Sequence, residues 1–268
     1  MIPLEKIFPG LETFAHRHLF AGVKTPWEPI LNLGPALQEI LEDPGPGIVR
    51  LESQDGLTLH PGRASAAHPE PAIYVRDWVR FEETVYFPAL RILIGEGSTL
   101  EPTAILKGPL VLGRGCDVRH GAYLRGNVLT GDRCTLGHAT EIKNSILMNH
   151  TEAGHFNYIG DSILGAHVNL GAGSRLANLQ FRTAEEKTQD FIHPIRIPLE
   201  SGEVETGVPK LGAVVGDHGE VGCNVVLCPG TVLGAHIWVY PNFTVPKGVY
   251  DPRQILAPRD PRPRMQRL

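Results

Sequence analysis

Long apolar runs are missing from this sequence. Hydrophobic residues make up 42 % of its 268 positions, yet no uninterrupted stretch approaches the roughly 20 residues that a bilayer span requires, so no membrane partner is expected. A dominant charge is missing too. With 25 basic against 29 acidic residues the formal charge is -4, which gives no whole-molecule attraction to nucleic acid. Cysteine is scarce: Cys116, Cys134, Cys223 and Cys228 form no CxxC pair, and a disulfide framework is not expected. The start, MIPLEKIFPGLETF, lacks a basic segment followed by a long apolar one, so a cytoplasmic location with reduced thiols is the expectation. Aromatics are only 7 % of the chain, too few for a thick core.

What is abundant is glycine, 30 residues, and proline, 23, which in a foldable chain implies many turns and thin, repetitive packing. Stepping by six from Ile94 gives Ile94, Leu100, Leu106, Leu112, Val118, Leu124, Thr130, Leu136, Ile142, Met148 and Gly154. The step resumes at Val215, Val221, Leu227, Leu233, Val239 and Val245, so fifteen of seventeen sampled positions are aliphatic. A period of six fits neither a helix nor a simple strand. It describes short strands joined by turns, each hexad sending one aliphatic side chain inward. Gly follows the inward position at Gly95, Gly113, Gly131, Gly137, Gly216, Gly222 and Gly234, where a permissive backbone would help the corner. The expected fold is an all-β solenoid, a parallel β-helix of hexapeptide repeats with 18 residues per triangular coil. Resemblance to known hexapeptide proteins implies a left-handed one.

The remaining parts follow from where the hexads stop. Residues 1–88 read as a small N-terminal α+β cap, with a helix opened by Thr25 and Pro26 and a hairpin turning at Asp55-Gly56. The β-helix domain is expected over 89–250, and its step slips between Gly154 and Leu176. An inserted loop at 182–210 is too long for an ordinary connection and reads as a lid or a subunit-spanning arm. A Pro/Arg-rich tail, 251–268, reads as extended or mobile.

Residues 18 apart in such a coil stand above one another at about 4.8 Å. Cys116 and Cys134 then share an interior column and are read as core. Lys107, Arg125 and Lys143 form one outward column of positive charge, whose repulsion is relieved by solvent, by nearby carboxylates such as Glu141, or by an anionic ligand, phosphate above all. His155 is a candidate general base near the slip. His120 and His138 also stack, and a subunit-bridging zinc site could use such a pair.

The run from 141 to 173 holds Glu141-Ile142-Lys143, Ala153-Gly154-His155, Tyr158-Ile159-Gly160-Asp161 and Asn169-Leu170-Gly171-Ala172-Gly173. It resembles the acetyltransferase half of the bifunctional N-acetylglucosamine-1-phosphate uridylyltransferase / glucosamine-1-phosphate acetyltransferase. Residues 210–242 are more similar to the archaeal-type sugar-1-phosphate nucleotidylyltransferase branch. The resemblance, over about residues 90–248, implies a cytoplasmic homotrimer that moves an acetyl group from acetyl-CoA to the amine of a hexosamine 1-phosphate. It implies His155 as general base, Glu141 positioning the imidazole, and the Ala172 N–H facing the thioester oxygen. It also implies Arg125, Lys143, Tyr158, Asn169 and Asn178 as contacts to the amino-sugar phosphate, and Cys223 and Tyr240 beside acetyl-CoA, with no metal required. Residues 1–90 lack the Gly-rich nucleotide loop of the uridylyltransferase half, so no pyrophosphorylase activity is expected. Two alternatives stay open: a non-catalytic β-helix that binds a sugar phosphate or sugar nucleotide, and a zinc hydrolyase of the γ-carbonic anhydrase type.

Overall fold

The computed structural model describes residues 3–62, 71–199 and 202–258. Short strands are laid into three sheets of ten, nine and nine strands, and within the coils every neighbour is parallel. Each sheet is one wall of a left-handed β-helix. The chain passes from wall one (Ile92–Ile94) to wall two (Thr99–Leu100), to wall three (Ile105–Lys107) and back to wall one (Leu110–Leu112). Inside the triangle stand Leu100, Leu106, Leu112, Val118, Leu124, Leu136 and Ile142, all buried. Each such side chain withdrawn from water contributes about 1.5–3 kcal/mol, and the column of them holds the coils together.

The inward register departs from the hexad arithmetic at two positions. After Ile142 the next inward residues are Leu147 and Ala153, not Met148 and Gly154, because the side between Ile142 and Leu147 is one residue short. Met148 therefore turns outward and packs beneath the N-terminal segment. A second short side runs from Ile159 to Leu164. The slip thus begins two sides earlier than the sequence step indicates.

The glycines have a different reason from the one the sequence suggested. Gly113 and Gly137 are not in the left-handed region; a Cβ at Gly137 would lie 2.0 Å from the Gly154 backbone, and one at Gly113 2.2 Å from the Gly131 carbonyl. They are needed because neighbouring coils touch backbone to backbone there. The left-handed corner positions are filled by other residues, among them Ala139, Phe156, Asn224 and Asn242.

The segment expected as an end cap is split between two jobs. Leu33–Glu42 and the turns before it lie along wall one, where Phe8, Phe14, Trp27, Leu33 and Leu37 pack on Val111, Leu129, Ile146 and Ile163. The end itself is closed by a reversed coil. Ala72–Val75, Val79–Arg80 and Val85–Phe87 pair antiparallel with the first strands of walls three, two and one. The hairpin does not turn at Asp55-Gly56: Leu57–His60 pairs with Ala72–Val75, and Gly56 instead accepts the amides of Arg76 and Asp77.

The inserted loop carries a short helix, Ala184–Thr188, and a two-stranded hairpin, Arg196–Leu199 with Gly202–Glu205. Its Ile195 and Ile197 join the cluster on wall one. The tail continues the solenoid as far as Ile255–Leu256, which pairs with Trp238–Val239, so its first residues are ordered as a last strand. Residues 259–268 of the expected tail lie outside the described residues.

Candidate functional site

Wall three carries the charged column in the expected order. Arg125 pairs in register with Lys107, and Leu124 with Ile142, which sets Arg125 above Lys143. Arg125 donates to Glu141 at 2.7 Å, and Lys143 lies 3.4 Å from Asp161. Lys107 and Arg125 also flank the Tyr123 ring, 5.3 and 5.9 Å from its centre. The repulsion within the column is thus offset by acids on the same wall, while Arg125 remains exposed to a ligand.

Tyr158 stands one coil below Glu141 and is half-buried. Burial, then the charges of Asp161 and Glu141, push its phenol above the ordinary range. It stays protonated at neutral pH, with Asn178 beside it. Asn178 in turn donates to Asp161, which also accepts from Asn144 at 2.8 Å. Asp161 is only 6 % exposed. It is the polar hub of this face. Sequence reasoning passed it over, although it closes the token Tyr158-Ile159-Gly160-Asp161.

The corner between walls two and three holds a second set. His138 pairs with His155 in register. The amides of Phe156, Gly173, Asn224 and Asn242 bond to the carbonyls of His138, His155, Ala172 and Cys223 respectively. These bonds stack His138, His155, Ala172 and Cys223 in one vertical file beside wall three. The His155 side chain is exposed, and its amide bonds to Asn157 Oδ1 at 3.1 Å. Among the described residues its imidazole has no hydrogen bond to Glu141, whose carboxylate is engaged by Arg125. Tyr240 is an exposed aromatic at the start of the same corner, two coils below Gly171.

Asn169 is not with the others. It lies on wall two, where it donates to Glu220 at 2.9 Å. His120 and His138 stack with ring centres 4.2 Å apart. A longer ladder, which the hexad reading did not single out, runs along the corner between walls one and two: His150, His167, His218 and His236, with ring centres 4.6 to 4.9 Å apart. Their spacings of 17, 51 and 18 residues hide the alignment in the sequence, since one short side and the insertion fall within it. Among the described residues no group of three or more His, Cys, Asp or Glu could hold a metal ion. No helix among them is long and apolar enough to cross a membrane.

Chemically, a flat wall offering Arg125, Lys143 and a protonated phenol can hold a phosphorylated sugar, and an imidazole at its edge can exchange a proton with it.

The GMPPB C-terminal domain matches residues 106–193. A bifunctional sugar-1-phosphate nucleotidylyltransferase/acetyltransferase of Sulfurisphaera tokodaii is 33 % identical over 105 residues, 39 % of this chain and 24 % of that protein. The bifunctional protein GlmU of Methanocaldococcus jannaschii is 36 % identical over 95 residues, 35 % of this chain and 21 % of its own length. The chain therefore spans less than a quarter of these archaeal relatives. A putative uncharacterized acetyltransferase, YaiX of Escherichia coli, is 29 % identical over 191 residues, 70 % of this chain and 77 % of that one. Through its β-helix, this chain is similar to the GMPPB C-terminal domain and to the archaeal sugar-1-phosphate nucleotidylyltransferase/acetyltransferase proteins.

Proposed function

We propose that the protein is an acyltransferase that moves an acetyl group from acetyl-CoA to the amine of a hexosamine 1-phosphate. The observation that carries this reading is the meeting of two columns: the cations of wall three, and the file of His155, Ala172 and Cys223 at its edge. The name of the Sulfurisphaera tokodaii relative, which joins sugar-1-phosphate and acetyl transfer, and that of YaiX, which gives acetyl transfer alone, support it.

In this reading Arg125 and Lys143 hold the phosphate, while Tyr158 and Asn178 meet the sugar hydroxyls. Anchoring the phosphate fixes the amine at the corner, so the reaction is helped chiefly by positioning. A C–N bond forms as the C–S bond breaks. His155 takes the amine proton, and the leaving thiolate is protonated in its place. The Ala172 N–H faces the carbonyl oxygen as it gains negative charge. Glu141 orients the Arg125 guanidinium, which it already contacts. Cys223 and Tyr240, exposed in the same corner, are the residues offered to the thiol end and the body of acetyl-CoA. The protein works as a cytoplasmic homotrimer. The chain's own N-terminal segment covers wall one, so the subunits meet through the other two walls, where Trp238 and Phe156 are exposed apolar surface.

The test is His155→Ala. Turnover falls by roughly two to four powers of ten, the usual contribution of a general base, while the hexosamine 1-phosphate still binds. Wild-type turnover in the variant would remove His155 from the mechanism. A second reading, a non-catalytic sugar-phosphate receptor, is favoured by the absence of any carboxylate partner to the His155 imidazole among the described residues. Calorimetry separates the two, since a receptor binds the sugar phosphate and leaves acetyl-CoA unbound.

A further inference from the structure

The corner between walls three and one is irregular three times in succession. One residue is missing after Ile142 and again after Ile159, and after Leu176 the chain leaves the solenoid, returning only at Ala213–Val215. The two short sides bring Asn144, Asp161 and Asn178, spaced 17 and 17, into one file along that corner. Asp161 sits in the middle. It accepts from Asn144 on one side and from Asn178 on the other, and it reaches sideways to Lys143. Its backbone carbonyl accepts the Gly212 amide where the insertion re-enters. A carboxylate so placed, with its two oxygens divided between two amides and an ammonium, fixes all three donors at once.

We infer that Asp161 is the positioning residue of this site, setting Lys143 for the phosphate and Asn178 for the sugar without itself touching the substrate. The inference rests on the acetyltransferase reading above. It also explains the cost of leaving Lys143 paired. The carboxylate lowers the pull of Lys143 on any anion in order to hold the ammonium in one place, so geometry is favoured over affinity. Charge and position can therefore be separated by substitution. Asp161→Asn removes the charge and presents an amide to two amide donors. Asp161→Glu keeps the charge and moves it by one methylene.

The experiment is steady-state thiol release with hexosamine 1-phosphate as the varied substrate, together with inhibition by inorganic phosphate. Misplacement of about 1 Å at a reacting group costs on the order of 100-fold in turnover, and both variants are expected to lose about that much in kcat with little rise in KM. Inorganic phosphate inhibits Asp161→Asn about fivefold more tightly, because Lys143 is no longer neutralised, and it inhibits Asp161→Glu as it does the wild type. A role confined to folding would lower thermal stability and the active fraction without separating kcat from KM or changing phosphate inhibition. If Asp161→Asn does not fold, Asp161→Glu alone carries the test through its kcat. A wild type that turns over the sugar phosphate alongside variants of unchanged kcat overturns the inference and leaves the acetyltransferase reading standing. A wild type that neither binds nor acetylates any hexosamine 1-phosphate overturns both.

Discussion

Replacing Gly137 by Ala puts a methyl group where two coils touch. The added Cβ would lie 2.0 Å from the carbonyl carbon and oxygen of Gly154 and 2.3 Å from its Cα, more than 1 Å inside ordinary contact. The obstacle is backbone, so no side chain can swing away. Nor can the strands part freely, because the amides of Thr135 and Phe156 bridge the same two coils at 2.9 and 2.6 Å. Overpacking a core costs about 1–3 kcal/mol where side chains can yield, and here the upper end of that range is expected. At about 2–4 °C per kcal/mol for a chain of this size, the melting temperature falls by about 6–12 °C. The displaced peptide is the one that carries His155, so activity falls with it. Gly34→Ala is the control. That glycine lies in the first turn of the helix Leu33–Glu42, before Pro35, and its added Cβ would meet no atom beyond its chain neighbours nearer than Asn127 at 3.8 Å, so the melt moves far less than in Gly137→Ala. Thermal melts by circular dichroism read both. A Gly137→Ala protein that melts with the wild type would refute the backbone contact and with it the stacking that aligns the corner file.

His16 gives a pH dependence of known sign. Burial, then the nearby His18, lower its imidazole from 6.5 to about 4, with Asp132 opposing. The folded state therefore disfavours protonation by about 3 kcal/mol. That stability is fully present above pH 6.5 and is lost as the pH falls from 6.5 towards 4, and denaturant midpoints across that window flatten in His16→Gln; an unchanged slope would place His16 in water. Leu124→Ala empties one inward position of the β-helix and costs about 2–5 kcal/mol, seen as a lower denaturant midpoint. A loss below about 1 kcal/mol would mean that the side chain is not in the core.

The winding was legible because it is written in one-residue arithmetic. Leu106, Leu124 and Ile142 recur at 18, and Lys107, Arg125 and Lys143 ride beside them, so inward and outward columns could be read without coordinates. The arithmetic fails where a side loses a residue. Met148 and Gly154 fell on the step only because the count ran past Leu147 and Ala153, which are as apolar or as small as the residues that displaced them. The same miscount hid the file of Asn144, Asp161 and Asn178 and the ladder from His150 to His236. Asp55-Gly56 has the composition of a hairpin turn, but the strands that follow and precede it belong to different walls, and long-range pairing decided the outcome. The N-terminal segment reads in sequence as an α+β cap. That it lies along a wall rather than across an end depends on the outward Val111, Leu129 and Ile163, which a six-residue step does not sample.

The central claim is that wall three binds a phosphorylated amino sugar whose amine is acetylated at the His155 corner. Its most direct measurement is the rate of thiol release from acetyl-CoA with glucosamine 1-phosphate, galactosamine 1-phosphate and unphosphorylated glucosamine, each at equal concentration. At least one of the phosphorylated sugars releases thiol at a rate well above the background hydrolysis, and the unphosphorylated one does not. Equal rates with and without the phosphate, or no release with any of the three, would contradict the claim.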